Sequence, residues 1–118
     1  MTIYIDIDET ICVSPENRDY ELAEPILVNI EKANLLFEEG HTIVYWTARG
    51  TGSGIDWREV TEQQFAKWGV KFHELKFGKP IYDIFIDDKN VNVADWKYFL
   101  SDMSIIKRKK ENGNRTKI

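Results

Sequence analysis

The stretch IYIDIDET, residues 3–10, decides the fold. Its first half is an apolar, β-prone run that is typical of a buried strand. Asp6 and Asp8 follow where such a strand ends, and residues two apart along a strand point to the same side. Two carboxylates held together repel each other and need a cation or a shared proton. A hard divalent cation with oxygen ligands meets that need, so the stretch predicts a metal-binding strand end. The alternative is that one aspartate only caps the turn.

Beyond this stretch, the chain alternates between segments with helical spacing and β-prone runs. Residues 9–24 are polar and predict a loop, and Pro25 is well placed as the first residue of a helix that stops at Gly40. Later segments are a strand at 42–47, a glycine-rich loop at 49–54, a helix at 57–69, a weaker strand at 70–75, a strand at 82–86 and a helix at 93–100.

This alternation favours an α/β fold. We expect a Rossmann-like, doubly wound, mostly parallel sheet in a single domain without a cap, covering residues 1–106. Residues 107–118 are basic and polar and predict a solvated C-terminal tail. Open sheets of this kind bind their ligands at the carboxyl ends of the strands.

Composition excludes several classes of function. The 118 residues carry a net charge of −4, which makes nucleic acid an unlikely partner. No apolar run approaches the roughly 18 residues that a membrane span needs, so no membrane partner is expected. Cys12 is the single cysteine, which rules out an intrachain disulfide and fits a reducing compartment. We therefore expect a cytoplasmic protein.

The end of the second predicted strand carries groups suited to an anion. The Thr47 hydroxyl and adjacent backbone N–H groups, including that of Ala48, are candidates for holding a phosphate oxygen. Arg49 is a candidate for substrate contact. The alternatives are that Thr47 only forms the turn and that Arg49 is an exposed side chain.

Charged residues also flank the predicted strand at 82–86. Lys79 precedes it and could steady a phosphate as a point charge, with Lys76 as a competitor for that role. Asp87 and Asp88 follow it, and they either start a turn or converge with Asp6 and Asp8 at one edge of the sheet. Four carboxylates in one place require a metal.

In this order, the motifs resemble those of the haloacid dehalogenase (HAD) superfamily of phosphatases. The run Asp6-Ile7-Asp8-Glu9-Thr10 looks like its first motif, Thr47 its second, Lys79 its third and Asp87-Asp88 its fourth. The resemblance covers roughly residues 1–100. The residues around the later motifs look like those of small family members without a cap.

The resemblance implies a role for each matching residue. Asp6 would attack phosphorus and form an aspartyl-phosphate, and Asp8 would act as general acid and then as general base. Mg²⁺ would be bound by Asp6, by the Asp8 backbone carbonyl and by Asp87 or Asp88. The remaining residues, Thr47, Ala48 and Lys79, would bind the transferring phosphoryl group.

The substrate is not readable from the motifs. A small phosphorylated metabolite such as a sugar phosphate is expected, and a nucleotide or nucleic-acid end is the alternative. A site without a cap discriminates poorly by itself, which favours self-association as a source of specificity. A phospho-accepting receiver domain is the outside alternative, but a receiver carries its acidic pair first and its phosphorylated aspartate in mid-chain. Here Asp87 and Asp88 come last, and the second strand ends in Thr47.

Overall fold

The first strand forms where the opening stretch predicts it, at Thr2–Ile5. The structure is a computed structural model that describes residues 1–98. The chain divides into two units, Met1–Asp83 and Ile84–Ile118. The predicted tail at 107–118 lies outside the described residues. No helix within residues 1–98 is long and apolar enough to cross a membrane.

A parallel three-stranded sheet organises the first unit. Strand β1 (Thr2–Ile5) pairs with β4 (Thr42–Trp46), which pairs in turn with β5 (Glu74–Lys76). Helix α1 (Leu27–Glu38) connects the first pair of strands, and α2 (Arg58–Trp68) connects the second. The fold is therefore α/β, as predicted, and three neighbouring strands of the sheet run parallel with helical crossovers.

The two faces of this sheet differ in burial. In register, Ile5 pairs with Tyr45 and Tyr45 with Leu75, and all three side chains are buried. The Phe65 ring of α2 meets the Tyr45 ring at 4.9 Å, edge to face, so α2 packs on this side. Because both crossovers advance in one direction across the sheet, the right-handed rule predicts both helices on the same face. The other face includes Tyr4, which is exposed, and its register partner Val44, which is buried.

The segment predicted as one polar loop contains a small second sheet. Strand β2 (Cys12–Val13) pairs antiparallel with β3 (Glu24–Pro25), and Tyr20–Leu22 form a 3₁₀ turn between them. The prediction that Pro25 begins the helix is therefore wrong. Proline lacks an N–H but is tolerated in a short edge strand, and the helix begins two residues later at Leu27.

The predicted strand at 82–86 does not form in the structure. Its residues are in irregular conformation, and apolar side chains such as Ile84 and Ile86 are exposed. A β-prone run becomes a strand only when a neighbouring strand satisfies its backbone, and no such ladder involves these residues within the described part of the chain.

The last predicted helix, at 93–100, is reduced in its described part to a 3₁₀ turn at Val93–Asp95. The Asn92 side chain accepts the Ala94 N–H and starts the turn. Trp96 is already extended, with φ −73° and ψ 122°, so helical geometry stops there. Residues 99 and 100 lie outside the described residues.

Candidate active site

The carboxyl ends of the three parallel strands bring together the side chains that the sequence predicted. Asp6 follows β1 directly, Thr47 follows β4, and Lys79 lies three residues beyond the end of β5. Two backbone hydrogen bonds join the last two ends: Thr47 N–H donates to the Lys76 carbonyl, and Lys79 N–H donates to the Thr47 carbonyl, at 3.0 and 3.1 Å. The expected meeting of strand ends is thus observed for these residues.

Asp6 lies between the backbone and a lysine. Its Oδ1 atom accepts the Ile7 N–H at 2.9 Å, and its Oδ2 atom lies 3.5 Å from Lys79 Nζ. Burial raises the pKa of the Asp6 carboxyl above its ordinary value, while the positive charge of Lys79 opposes that shift. The side chain remains 38% exposed, so an incoming ligand can reach a carboxylate that is held in place from two sides.

Asp8 is held by Arg49 through a fork of two hydrogen bonds. Arg49 Nε donates to Asp8 Oδ2 and Arg49 Nη2 donates to Asp8 Oδ1, both at 2.9 Å. The Ser14 hydroxyl also hydrogen-bonds to Oδ1. Paired two-donor contacts of this kind fix the plane of a carboxylate, which a single point charge cannot do.

Arg49 was a candidate for substrate contact, but the structure places its side chain entirely out of solvent. Its Nη1 atom donates to Thr61 Oγ1 at 2.9 Å and to Gln64 Oε1 at 2.7 Å, and its guanidinium lies 4.8 Å from the centre of the Tyr20 ring. A buried guanidinium is tolerated only when its donors are satisfied, and here they are directed at Asp8, Thr61 and Gln64. Arg49 therefore contacts Asp8 and not the solvent where a substrate arrives.

Sequence reasoning missed the residues that hold Arg49 from behind. Thr61 and Gln64 lie on the buried side of α2 beside Phe65. The signal was available, because two polar side chains three residues apart on the core-facing side of a helix require a buried polar partner.

Thr47 is fully buried and forms the turn that the alternative interpretation predicted. Its Oγ1 atom accepts the Arg49 N–H, two residues on, at 3.1 Å. The Thr47 hydroxyl can still donate its own proton in a hydrogen bond to an anion. Ala48 lies in the same turn, where its carbonyl accepts the Thr51 N–H at 3.0 Å.

The two candidate lysines lie in different surroundings. Lys79 Nζ approaches Asp6 and lies 5.5 Å from the centre of the Tyr82 ring. Lys76 Nζ donates to the Tyr4 hydroxyl at 3.2 Å and lies 5.5 Å from the centre of that ring. Lys79 is therefore the lysine that the structure brings to the carboxylate.

Asp87 and Asp88 belong to the second unit and are exposed. Asp87 begins a turn, since its Oδ1 atom accepts the Lys89 N–H at 3.3 Å and its carbonyl accepts the Asn90 side-chain amide at 2.7 Å. A hydrogen bond from Asp88 lowers the pKa of Asp87. Within residues 1–98, no group of three or more His, Cys, Asp or Glu side chains is arranged to hold a metal ion. The expected convergence of the four carboxylates stays a prediction.

Cys12 is buried next to the acidic pair. Its Sγ atom lies 3.4 Å from Asp8 Oδ1 and 3.7 Å from the Ile7 carbonyl oxygen. Burial, with the negative charge of Asp8 adding to it, raises the pKa of the Cys12 thiol to about 12. A thiol with that pKa stays protonated at neutral pH, so Cys12 packs as a small residue and is no nucleophile.

Comparisons with known proteins concern the fold. No family model and no curated protein match the chain. A crystal structure of an MCSG target from Vibrio cholerae is similar, with a TM-score of 0.74 and 22% identity over 98% of both chains. The structure of a Pnkp1/Rnl/Hen1 complex is similar with a TM-score of 0.54 and 17% identity, covering 74% of this chain and 31% of the other. At these identities the likenesses support an α/β fold.

Proposed function

We propose that this protein is a Mg²⁺-dependent phosphomonoester hydrolase of the HAD type, in which Asp6 forms an aspartyl-phosphate. One observation carries the proposal. Asp6 is a partly exposed carboxylate at the carboxyl end of a parallel strand, with Lys79 Nζ at 3.5 Å and with Asp8 held two residues away by Arg49. A nucleophile, a cation and a second oriented carboxyl are the groups that phosphoryl transfer through an aspartate requires.

The charges explain why a divalent cation belongs to this proposal. With Asp8 ionised, Lys79 and Arg49 offset the charges of Asp6 and Asp8. With Asp8 carrying the proton that the first displacement requires, the four side chains together carry about one positive charge. A phosphate monoester carries a charge of about −1.5 to −2 near neutral pH, and these side chains do not balance that charge. Mg²⁺ typically binds through one or two carboxylates, waters and the substrate phosphate, and the exposed Asp6 carboxylate fits that mode.

Within the proposal, Asp6 and the Asp8 backbone carbonyl would hold the ion. Bound there, Mg²⁺ would neutralise charge that develops on the phosphoryl oxygens. That Asp87 or Asp88 is a further ligand of the ion stays an expectation from the sequence resemblance.

The reaction runs in two displacements. A carboxylate oxygen of Asp6 attacks phosphorus, the bond from phosphorus to the ester oxygen breaks, and Asp8 gives its proton to the departing oxygen. Water then attacks the phosphorus of the aspartyl-phosphate while Asp8 takes back a proton, which releases inorganic phosphate and restores the Asp6 carboxylate. Lys79 offsets the negative charge of nucleophile and phosphate in both steps, and Thr47 with the Ala48 N–H binds a phosphoryl oxygen.

We also propose a sheet topology, a cellular location, a substrate class and an association state. The proposal includes a Rossmann-like, doubly wound sheet, which needs a further strand beside β1 and cover on the Tyr4 face. It also includes a cytoplasmic location, a small phosphorylated metabolite such as a sugar phosphate as substrate, and self-association that adds specificity to a site without a cap. Light scattering tests the self-association directly.

A panel of phosphate esters tests the function. Sugar phosphates, other small monoesters, nucleotides and 5′- or 3′-phosphorylated oligonucleotides are incubated with Mg²⁺ or with excess chelator. We expect chelator-sensitive release of phosphate that Asp6→Asn abolishes and that Glu16→Gln, which removes one exposed carboxylate, leaves unchanged. Hydrolysis of oligonucleotide ends in preference to small esters would move the substrate to the alternative class, and full activity in chelator would remove the metal from the proposal.

A further inference from the structure

The side chain of Arg49 donates hydrogen bonds to Asp8, Thr61 and Gln64 beside the proposed nucleophile, and neither displacement of the proposed reaction assigns a step to it. We infer that Arg49 is a positioning residue that fixes the Asp8 carboxyl and presents Asp8 Oδ2 for proton transfer. The inference rests on the proposed function, because proton transfer by Asp8 is a step of that reaction.

The two carboxyl oxygens of Asp8 differ in their contacts. Oδ1 faces Arg49 Nη2 at 2.9 Å, Arg49 Nε at 3.3 Å, Cys12 Sγ at 3.4 Å and the Ser14 hydroxyl. Among contacts made by residues 1–98, Oδ2 accepts from Arg49 Nε alone, at 2.9 Å. A carboxyl oxygen accepts about two hydrogen bonds, so Oδ2 keeps a position for a proton and Oδ1 is filled.

The Arg49 fork is itself held by hydrogen bonds on its other side. Arg49 Nη1 donates to Thr61 and Gln64 on α2, and Thr61 Oγ1 in turn donates to the Trp57 carbonyl at 2.7 Å. Gln64 Nε2 donates to the Tyr20 carbonyl at 2.6 Å. A buried guanidinium anchored on both sides cannot rotate freely, so the orientation of Asp8 is set by the sheet and by α2 together.

A lysine at position 49 cannot reproduce this arrangement. Arg49→Lys keeps one positive charge but supplies a point-like ammonium in place of a planar fork. It would leave Thr61 or Gln64 without its donor and would let the Asp8 carboxyl turn. Proton transfer depends on such alignment, whereas the attack by Asp6 does not involve the fork.

The test measures kcat/KM for aryl phosphates whose leaving phenols range from p-nitrophenol to unsubstituted phenol. This ratio reports steps up to the first irreversible one, which is cleavage of the ester bond. We expect a shallow dependence on leaving-group pKa in the wild type and a steep one in Arg49→Lys. The loss should be about 100-fold for phenyl phosphate and less than about tenfold for p-nitrophenyl phosphate, because good leaving groups need no general acid.

Two further variants make this result specific. Arg58→Lys is the matched control, since Arg58 is a partly exposed arginine that contacts Glu62 and the Leu75 carbonyl, and its slope should equal that of the wild type. Thr61→Val keeps Arg49 and removes one of its anchors, and it should steepen the slope by a smaller amount. This variant also keeps the inference testable if Arg49→Lys fails to fold.

Equal losses across the whole series in both Arg49→Lys and Thr61→Val would overturn the positioning role and leave Arg49 with a structural one. A second measurement separates this failure from failure of the proposed function. The Arg49 Nε–H resonance in ¹⁵N NMR should be protected from solvent exchange in the wild type and lose that protection in Asp8→Asn. A wild type that hydrolyses no ester refutes the proposed function even if the signal is protected, and an unprotected signal refutes the fork whatever the activity.

Discussion

Removing the charge of Lys79 should cost far more activity than removing that of Lys76. Both lysines follow or end the same strand, and Lys79→Ala and Lys76→Ala make the same chemical change. Lys79 Nζ lies 3.5 Å from Asp6 Oδ2, whereas Lys76 Nζ contacts the hydroxyl of Tyr4. The pair therefore separates a charge that acts on the nucleophile from one that lies elsewhere on the sheet.

The magnitude follows from the distance. Two unit charges 3.5 Å apart attract by about 5 kcal/mol at an effective dielectric constant of about 20. Dehydration and solvent screening remove part of this energy, because the Asp6 side chain is 38% exposed, and a hydrogen bond to a charged group is worth about 1.5–3 kcal/mol net. At the upper end, kcat/KM should fall about 100-fold in Lys79→Ala. For Lys76→Ala we expect a change below about threefold, since its nitrogen contacts no atom of the site.

The assay is hydrolysis of p-nitrophenyl phosphate with saturating Mg²⁺ over a range of pH. Burial raises the pKa of Asp6 and Lys79 opposes that effect, so Lys79→Ala should raise the pKa further and move the acidic limb of kcat/KM to higher pH. Lys76→Ala should leave that limb in place. Equal losses in the two variants, or the larger loss in Lys76→Ala with both variants folded, would refute the assignment of Lys79.

Three further substitutions test other parts of the account. Asp6→Asn should abolish turnover and yet stabilise the fold near pH 7. Because the pKa of Asp6 is raised in the folded state, the wild type loses stability as pH rises through that folded-state pKa. Urea denaturation should therefore show a higher free energy of unfolding for Asp6→Asn near neutrality and no difference from the wild type near pH 3. Gly50→Ala should lower the free energy of unfolding by about 1–3 kcal/mol, because φ is +81° there and a Cβ atom would lie 2.1 Å from the Ile55 carbonyl oxygen; an unchanged urea midpoint would contradict this. Tyr45→Phe should raise the free energy of unfolding by about 1 kcal/mol, since the buried Tyr45 hydroxyl has no hydrogen-bond partner among the described residues, and a loss in urea denaturation would show that it has one.

Local patterns predicted the elements well where one segment determines its own structure. The apolar run before Asp6 and the β-branched run ending in Trp46 form strands, and Gly69 ends α2 at φ +70°, as expected of a glycine that closes a helix. The run at 82–86 has the same β-prone composition, but it forms no strand. Composition gives a residue's preference for extended backbone, and pairing depends on a partner elsewhere in the chain.

Some features of the candidate site could likewise be predicted from the sequence, and others could not. The rule that parallel strands end at one edge sufficed to bring Asp6, Thr47 and Lys79 together, because it depends only on strand direction. The burial of Arg49 could not be predicted from its own position, since an arginine after a strand is usually exposed. Its burial requires Asp8 on one side and polar residues of α2 on the other, and those contacts arise only when the helix packs on the sheet.

The most direct test of the central claim is chemical trapping of the acyl phosphate on Asp6. The wild type is mixed with Mg²⁺ and with a phosphate ester that it hydrolyses, and the mixture is quenched with borohydride. Borohydride reduces an acyl phosphate to an alcohol, and the product is analysed by peptide mass spectrometry. We expect homoserine at position 6, dependent on substrate and absent from Asp6→Asn. Steady hydrolysis with no modification at position 6, together with undiminished activity in Asp6→Asn, would contradict the claim that Asp6 accepts the phosphoryl group.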